Sequence, residues 1–392
     1  VLTPKETAEA YGSPLILLLL GGFLLSRGME STGAHRRLAL TVVSVVGGDS
    51  PRRLVFGFMA AGALLSMWIS NTATVLMLVP VAIAVVDGSD QRDVLGPPLL
   101  LGLAWACSIG GVGTPIGTPP NLIFMQVYQE FSGQTIGFTQ WMSWAVPVVF
   151  VLVPVAAIAL TRHLPRRGSV TLPALGPWRS GERRVLLIFA FTALAWMTRA
   201  EPFGGWSAWF NLPGANDAAV AFLAVIMLFA LRDKEGEKLI TWEQASAIPW
   251  GVLLLFAGGI ALAKASVVSG LSQLAGETLV LLMDQPLLIM LLLICLLVTF
   301  MTEATSNTAT TALLMPILAS AALAMDINPV LLMAPAAMSA SCAFMLPVAT
   351  APNAVIFGTG RVPISRMVRE GFVINLLGAA IIASLMWLLL PR

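Results

Sequence analysis

The sequence is poor in charge. Of its 392 residues, 22 are Lys or Arg and 20 are Asp or Glu, 11% of the chain. A soluble globular protein carries about 25%, so these charges cannot cover a water-exposed surface of this size. The deficit excludes a soluble enzyme and a disordered chain. A net charge of +2 excludes the basic footprint of a nucleic-acid binder. Cysteine is also scarce. Cys107, Cys295 and Cys342 lie in apolar stretches, form neither a disulfide framework nor a zinc site, and read as small core residues. The only histidines, His35 and His163, sit beside arginines at segment ends and do not build a metal site. What is abundant is apolar: 57% hydrophobic residues, with a mean hydropathy of +0.87. A polytopic membrane protein is the class that remains. The chain opens on Val1 rather than Met, as a fragment or a processed chain would.

A spanning helix needs about 20 mostly apolar residues. Runs with little or no charge occur at 13–26, 54–86, 98–127, 141–161, 185–198, 218–231, 249–263, 285–302, 304–325, 329–358 and 371–390. Three stretches are not simple spans. The stretch 54–86 carries Ser70-Asn71-Thr72 midway, and 285–325 carries Thr302 to Thr308 midway. The stretch 98–127 is interrupted by Gly110, Gly111, Gly113 and Pro115, then by Gly117-Thr118-Pro119-Pro120-Asn121. Complete spans over 54–86 or 285–325 would be too long or too short. Read as re-entrant hairpins that return to the side they entered from, both stretches place 18 of the 22 basic residues on one face. The exceptions are Lys5, Arg199, Lys264 and Arg392. That face is the cytoplasmic one by the positive-inside rule.

The chain repeats itself. Ser70-Asn71-Thr72-Ala73-Thr74 recurs 236 residues on as Ser306-Asn307-Thr308-Ala309-Thr310. Gly21-Gly22 recurs as Gly258-Gly259 and Gly33 as Gly270, both at an offset of 237. Gly117-Thr118-Pro119-Pro120-Asn121 recurs as Ala349-Thr350-Ala351-Pro352-Asn353, at an offset of 232. The helix over Gly21-Gly22 runs toward the basic face and the one over Gly258-Gly259 runs away from it, so the repeats are inverted. Inverted repeats with broken helices at matching places point to a secondary transporter with its site near the midplane.

Non-helical backbone at membrane depth must be buried in protein or line a wet cavity. Ser, Asn and Thr at a hairpin tip start the returning half-helix, whose free N–H groups and positive dipole end suit an anion. No basic residue is near either tip in sequence, so dipoles, hydroxyls and amides carry that recognition. The Gly/Pro breaks free carbonyls, which with Asn and Thr oxygens make hard ligands for a small cation such as Na⁺. Bound cations offset the anion's charge, so the loaded site can cross. Glu303 is the one acidic residue inside a predicted hairpin, and Met67 is its counterpart. A carboxylate aimed at the anion would repel it, which leaves Glu303 two roles: accepting hydrogen bonds behind the tip, or coupling a cation or proton.

The doubled Ser-Asn-Thr, the run Ile109 to Asn121 and the run Cys342 to Thr350 resemble the divalent anion/sodium symporter family, over almost the whole chain. Members carry succinate, malate, fumarate, citrate or sulfate. The resemblance implies an all-α inverted-repeat fold and a homodimer in the inner (plasma) membrane. It implies a scaffold, and a transport domain that moves as an elevator. It places one Na⁺ at Ser66, Ser70, Asn71 and Gly117 and a second at Thr302, Thr305, Asn307 and Ala349. It places the substrate at Asn71, Thr72, Asn307 and Thr308, with Thr118 and Thr350 nearby. Two departures stand out. The second Thr-Pro-Pro reads Thr350-Ala351-Pro352, which restores an N–H and loosens that break. Family members carry further N-terminal scaffold helices, whereas about twelve residues precede the Gly21-Gly22 helix here; dimerisation or stability is altered, or the sequence is incomplete.

The expected organisation is a scaffold helix and cytoplasmic interfacial arm over 1–53 and a first transport half over 54–162. Scaffold and a connecting arm follow over 163–284, then a second transport half over 285–392. The leading function is Na⁺-coupled symport of C4-dicarboxylates through the bilayer. The alternatives are a sodium-independent dicarboxylate exchanger of the same fold and a sodium-coupled sulfate or citrate carrier. A membrane protease would need an Asp pair, a zinc motif or a base beside Ser70 or Ser306, and none is present in the spans. A channel would need charge rings or a filter repeat.

Overall fold

The computed structural model describes residues 1–47, 50–89, 91–165, 176–200, 203–274 and 285–391. Arg166, Arg167 and Arg392, counted in the charge asymmetry, lie outside these residues, as does the 48–49 portion of the interfacial arm. The described chain is helical, with a single isolated bridge between Arg232 and Lys238.

The first helices are α1 (Pro4–Tyr11), α2 (Pro14–Thr32) and α3 (Ala34–Gly47). α1 starts with a capping box between Thr3 and Glu6 and packs on α13 (Trp250–Val268), where Lys264 pairs with Glu6 and Glu9. α2 ends at Gly33 in the left-handed conformation (φ 76°), which lets α3 turn sharply away. The stretch expected to form the interfacial arm contains α3, whose Ala39, Leu40 and Val43 are buried and which packs along α4 (Pro51–Ser66).

Each interrupted stretch resolves into two helices. The stretch 54–86 becomes α4 and α5 (Asn71–Asp87), and 98–127 becomes α6 (Arg92–Val112) and α7 (Pro119–Ser132). After α8 (Phe138–Thr161) come α9 (Ser180–Met197), the short α10 (Gly205–Trp209), α11 (Asp217–Ala230), the short α12 (Trp242–Ser246) and α13. The stretch 285–325 becomes α14 (Leu287–Ala304) and α15 (Asn307–Ala324), and 329–358 becomes α16 (Val330–Ala340) and α17 (Ala351–Gly358). α18 (Ile364–Leu389) closes the chain. Seven described segments are long and apolar enough to cross a bilayer. α14 and α15 are among them at 18 residues each, so length alone does not separate a hairpin from two spans there.

Two groups of helices pack around the middle of the molecule. α6 is almost wholly buried and lies against α4, α5 and α8. α14, α15 and α16 pack together, and α18 packs on α14 and α8. The groups interlock: α7 packs on α15 and α16, and α17 packs on α5 and α6. Beside them α2, α9 and α11 form a third group that meets the others through α3, α7, α8 and α13. Lipid offers no hydrophobic drive between helices, so close approach of small residues holds such contacts. A Cβ on Gly110 would lie 2.3 Å from the carbonyl oxygen of Ala63, so α6 and α4 touch backbone to backbone. Pro80 in α5 and Pro316 in α15 occupy equivalent places at the tip repeat's offset of 236.

Candidate functional site between two hairpin tips and two helix breaks

Ser70 and Ser306 immediately precede the returning helices α5 and α15, and neither side chain bonds its own first turn. The first-turn N–H groups therefore stay uncapped, where the helix dipole is positive. Behind each tip the same bond recurs. The Ser66 hydroxyl donates to Asn71 Oδ1 at 2.5 Å, and the Thr302 hydroxyl donates to Asn307 Oδ1 at 2.7 Å. Each reaches five residues along the chain and holds the amide of its tip. Ser66 and Thr302 are fully buried.

The two breaks are built alike. Thr118 and Thr350 are extended residues that start α7 and α17. Asn121 Nδ2 donates to the carbonyls of Gly111 (3.0 Å), Val112 (3.3 Å) and Thr114 (2.7 Å). Asn353 Nδ2 donates to those of Ala343 (3.1 Å) and Leu346 (3.0 Å). Carbonyls that lost their helical partners are thus satisfied by one buried amide per break. The cradles are narrow: a Cβ on Gly117 would meet the Gly111 carbonyl oxygen at 2.3 Å.

The tie between tip and break differs between the halves. In the first, the Thr114 hydroxyl donates to the Met67 carbonyl. In the second, Glu303 sends its carboxylate into the break. Its Oε1 accepts from the N–H of Phe344 (2.6 Å), the N–H of Met345 (2.9 Å) and Asn375 Nδ2 (2.8 Å), and its Oε2 accepts from the N–H of Leu346 (2.9 Å). Of the two roles open to Glu303, this geometry is that of a hydrogen-bond acceptor behind the tip.

One cavity of about 920 Å³ joins these pieces. Ser70, Asn71, Thr72, Gly117, Thr118, Ser306, Asn307, Thr308, Ala349 and Thr350 line it. Of the predicted site residues, Ser66 and Thr302 stand one hydrogen bond behind this lining. Thr305 does not line it; its hydroxyl bonds the Met301 carbonyl (2.8 Å) and Thr310 (2.5 Å). Further lining comes from α2, α3 and the start of α13: Phe23, Ser26, Arg27, Glu30, His35 and Val252. Arg27 was invisible as a site residue in the sequence, because 43 residues separate it from the first tip. Burial pushes the pKa of His35 down, although the Met29 carbonyl 2.9 Å from its Nδ1 works against that.

An all-helical bundle with a large cavity at its helix breaks defines a multi-pass membrane transporter, and comparison with known proteins agrees. The chain belongs to the family described as the sodium:sulfate symporter transmembrane region, whose profile matches residues 2–391. It is 38% identical over 414 residues to the sodium-dependent dicarboxylate transporter SdcS of Staphylococcus saprophyticus, covering all of this chain and 79% of that protein. The SdcS of Staphylococcus aureus strain bovine RF122 is 38% identical over 415 residues, with the same coverage. Among solved structures, the Alcanivorax borkumensis YdaH transporter superposes with a TM-score of 0.66 at 18% identity, over 98% of this chain and 87% of that one. Neisseria gonorrhoeae MtrF superposes with a TM-score of 0.61 at 14% identity, over 97% and 82%. These two share the fold. The relatives are transporters, not enzymes.

Proposed function

We propose that this protein is a Na⁺-coupled symporter of C4-dicarboxylates such as succinate, malate and fumarate. The observation that carries the reading is the convergence of both Ser-Asn-Thr tips and both breaks on one cavity. The name of the Staphylococcus relatives supports the ion and the substrate class. The substrate's carboxylates meet Asn71, Thr72, Asn307 and Thr308, with Thr118 and Thr350 beside them. The donor set fits Na⁺, being hydroxyl, amide and carbonyl oxygens without sulfur or imidazole. Ser66, Ser70, Asn71 and Gly117 would hold one ion, and Thr302, Asn307 and Ala349 the other, with Thr305 contributing through its backbone carbonyl because its hydroxyl is engaged. The bound ion supplies positive charge beside the anion, and the chain's own part is to place the oxygens and the uncapped N–H groups.

The matching bonds behind the tips and in the breaks support an inverted repeat. Residues 54–162 and 285–392 are the transport domain in this reading, and 1–53 with 163–284 are the scaffold of a homodimer. The transport domain carries the cavity across the membrane as an elevator. Labelled-succinate uptake into proteoliposomes tests the function, with an inward Na⁺ gradient, with K⁺ in place of Na⁺, and with unlabelled succinate preloaded. Accumulation that needs Na⁺ and no internal anion is expected. Uptake that needs preloaded anion and ignores Na⁺ would make the protein an exchanger. Uptake of sulfate or citrate in place of succinate would overturn the substrate class.

A further inference from the structure

We infer that Arg27 and Glu30, which line the same cavity as the tips, form a second anion subsite that receives the dicarboxylate as it leaves toward the cytoplasm. The inference rests on the dicarboxylate reading above. Among the described residues that line the cavity, these two are the only Arg, Lys, Asp or Glu. The tips hold an anion with dipoles, hydroxyls and cations. When the cations leave, a dianion in the cavity has one fixed positive charge to move to. The Arg27 guanidinium is already positioned for it. Its Nε donates to the Gln244 carbonyl at 3.2 Å, and its Nη1 pairs with Glu30 Oε2. Its Nη2 makes no hydrogen bond among the described residues, so one donor edge is free. Arg presents such edges to carboxylates in a matched fork.

Glu30 is what keeps the subsite from becoming a trap. The arriving carboxylate competes with the Glu30 carboxylate for the same guanidinium, so one carboxylate partner replaces another and the net gain is small. Glu30 is itself anchored, with the Ser26 hydroxyl 3.5 Å from Oε1. The pair sits three residues apart on α2, outside the group of helices that carries the tips. If that group moves as the transport domain, the subsite stays behind with the scaffold. It then faces the substrate only while the cavity opens toward the arginine-rich side. The signature is an asymmetry between the two faces of the membrane.

The test uses right-side-out and inside-out membrane vesicles with Na⁺-dependent succinate transport as the readout. Arg27→Gln is expected to raise the half-saturating succinate concentration at the cytoplasmic face about tenfold, the loss of one charge-assisted contact, with a much smaller shift at the outer face. Arg27→Lys should fall between the two, keeping the charge but not the fork. Glu30→Gln should lower the cytoplasmic value and slow release. Equal shifts at both faces, or an unchanged cytoplasmic value, would overturn the subsite. Should Arg27→Gln fail to insert, Glu30→Gln decides: a lowered cytoplasmic value supports the subsite, and an unchanged or raised one overturns it. Wild-type vesicles that carry no succinate would instead remove the symport reading itself, and this inference with it.

Discussion

Glu303 and Phe344 are 41 residues apart in sequence and joined by a 2.6 Å bond from the Phe344 N–H to the Glu303 carboxylate. Through the same carboxylate the second hairpin also holds Met345, Leu346 and, on α18, Asn375. Three backbone donors in an unwound segment need acceptors, and this one carboxylate supplies them. Glu303→Gln turns one acceptor into a donor that faces a donor. The expected cost is about 2–3 kcal/mol, the penalty of a buried unpaired group. It should appear as a clear drop in the thermal midpoint of the detergent-solubilised protein. Thr114→Val removes the corresponding tie in the first half, a single neutral bond, and should cost about 1 kcal/mol.

The breaks should be intolerant of a change that leaves shape intact. Asn121→Asp replaces the Nδ2 donor with an oxygen that faces three carbonyl oxygens. Asn353→Asp does the same to two. Both should destabilise the protein severely, Asn121→Asp the more, as read by folded yield and thermal midpoint. A stable Asn121→Asp variant would show that the break is not held by this amide.

At the tips the expectation concerns transport rather than folding. Asn71→Ala and Asn307→Ala should each abolish Na⁺-dependent uptake while the purified protein keeps its monodispersity. Ser66→Ala and Thr302→Ala should weaken Na⁺ dependence, because each removes the hydroxyl that orients its tip amide. Wild-type uptake and Na⁺ dependence in both Asn variants would show the site assignment to be wrong.

Glycine positions separate packing from sequence similarity. A Cβ on Gly110 would meet the Ala63 backbone at 2.3 Å, and one on Gly258 would have only the Tyr11 hydroxyl within reach, at 3.8 Å. Gly110→Ala should therefore be severe, since backbone must shift. Gly258→Ala should be neutral or slightly stabilising in α13, because Ala is the better helix former. Folded yield from membranes distinguishes them.

His35 gives a pH dependence with a defined sign. Burial lowers its pKa below the ordinary 6.5, so the unfolded chain takes up the proton more readily than the folded one. The stability linked to His35 is complete above about pH 6.5 and declines as pH falls toward the lowered value. The thermal midpoint of the wild-type protein should fall more between pH 7 and 5 than that of His35→Gln.

Much of this was legible in the sequence because bilayer physics is severe. A charge-free run with a polar interruption has few permitted structures. The helices stop at Met67 to Ser70, Gly113 to Thr118, Thr305 to Ser306 and Ser341 to Thr350, at or beside the polar and Gly/Pro interruptions. The repeat offsets also placed Asn121 and Asn353 in equivalent positions, which the structure gives equivalent bonds. Two things were not legible. Thr305 carries the right residue type at the right spacing, yet its hydroxyl is engaged by Thr310 and Met301. Arg27 carries no local signal at all, because its place in the lining depends on α2 packing beside the cavity.

The sequence by itself determined the class, the breakpoints and the internal correspondence. Composition, spacing and helix chemistry act along the chain and need no partner. Tertiary structure alone decided what the breakpoints share. It brought four segments, spread from Ser70 to Pro352, around one cavity, and placed an ion pair in the same lining. It also decided how each break is tied to its tip, by a hydroxyl in one half and by a carboxylate in the other. Those outcomes depend on distances between helices, which are set by where small residues let backbones touch.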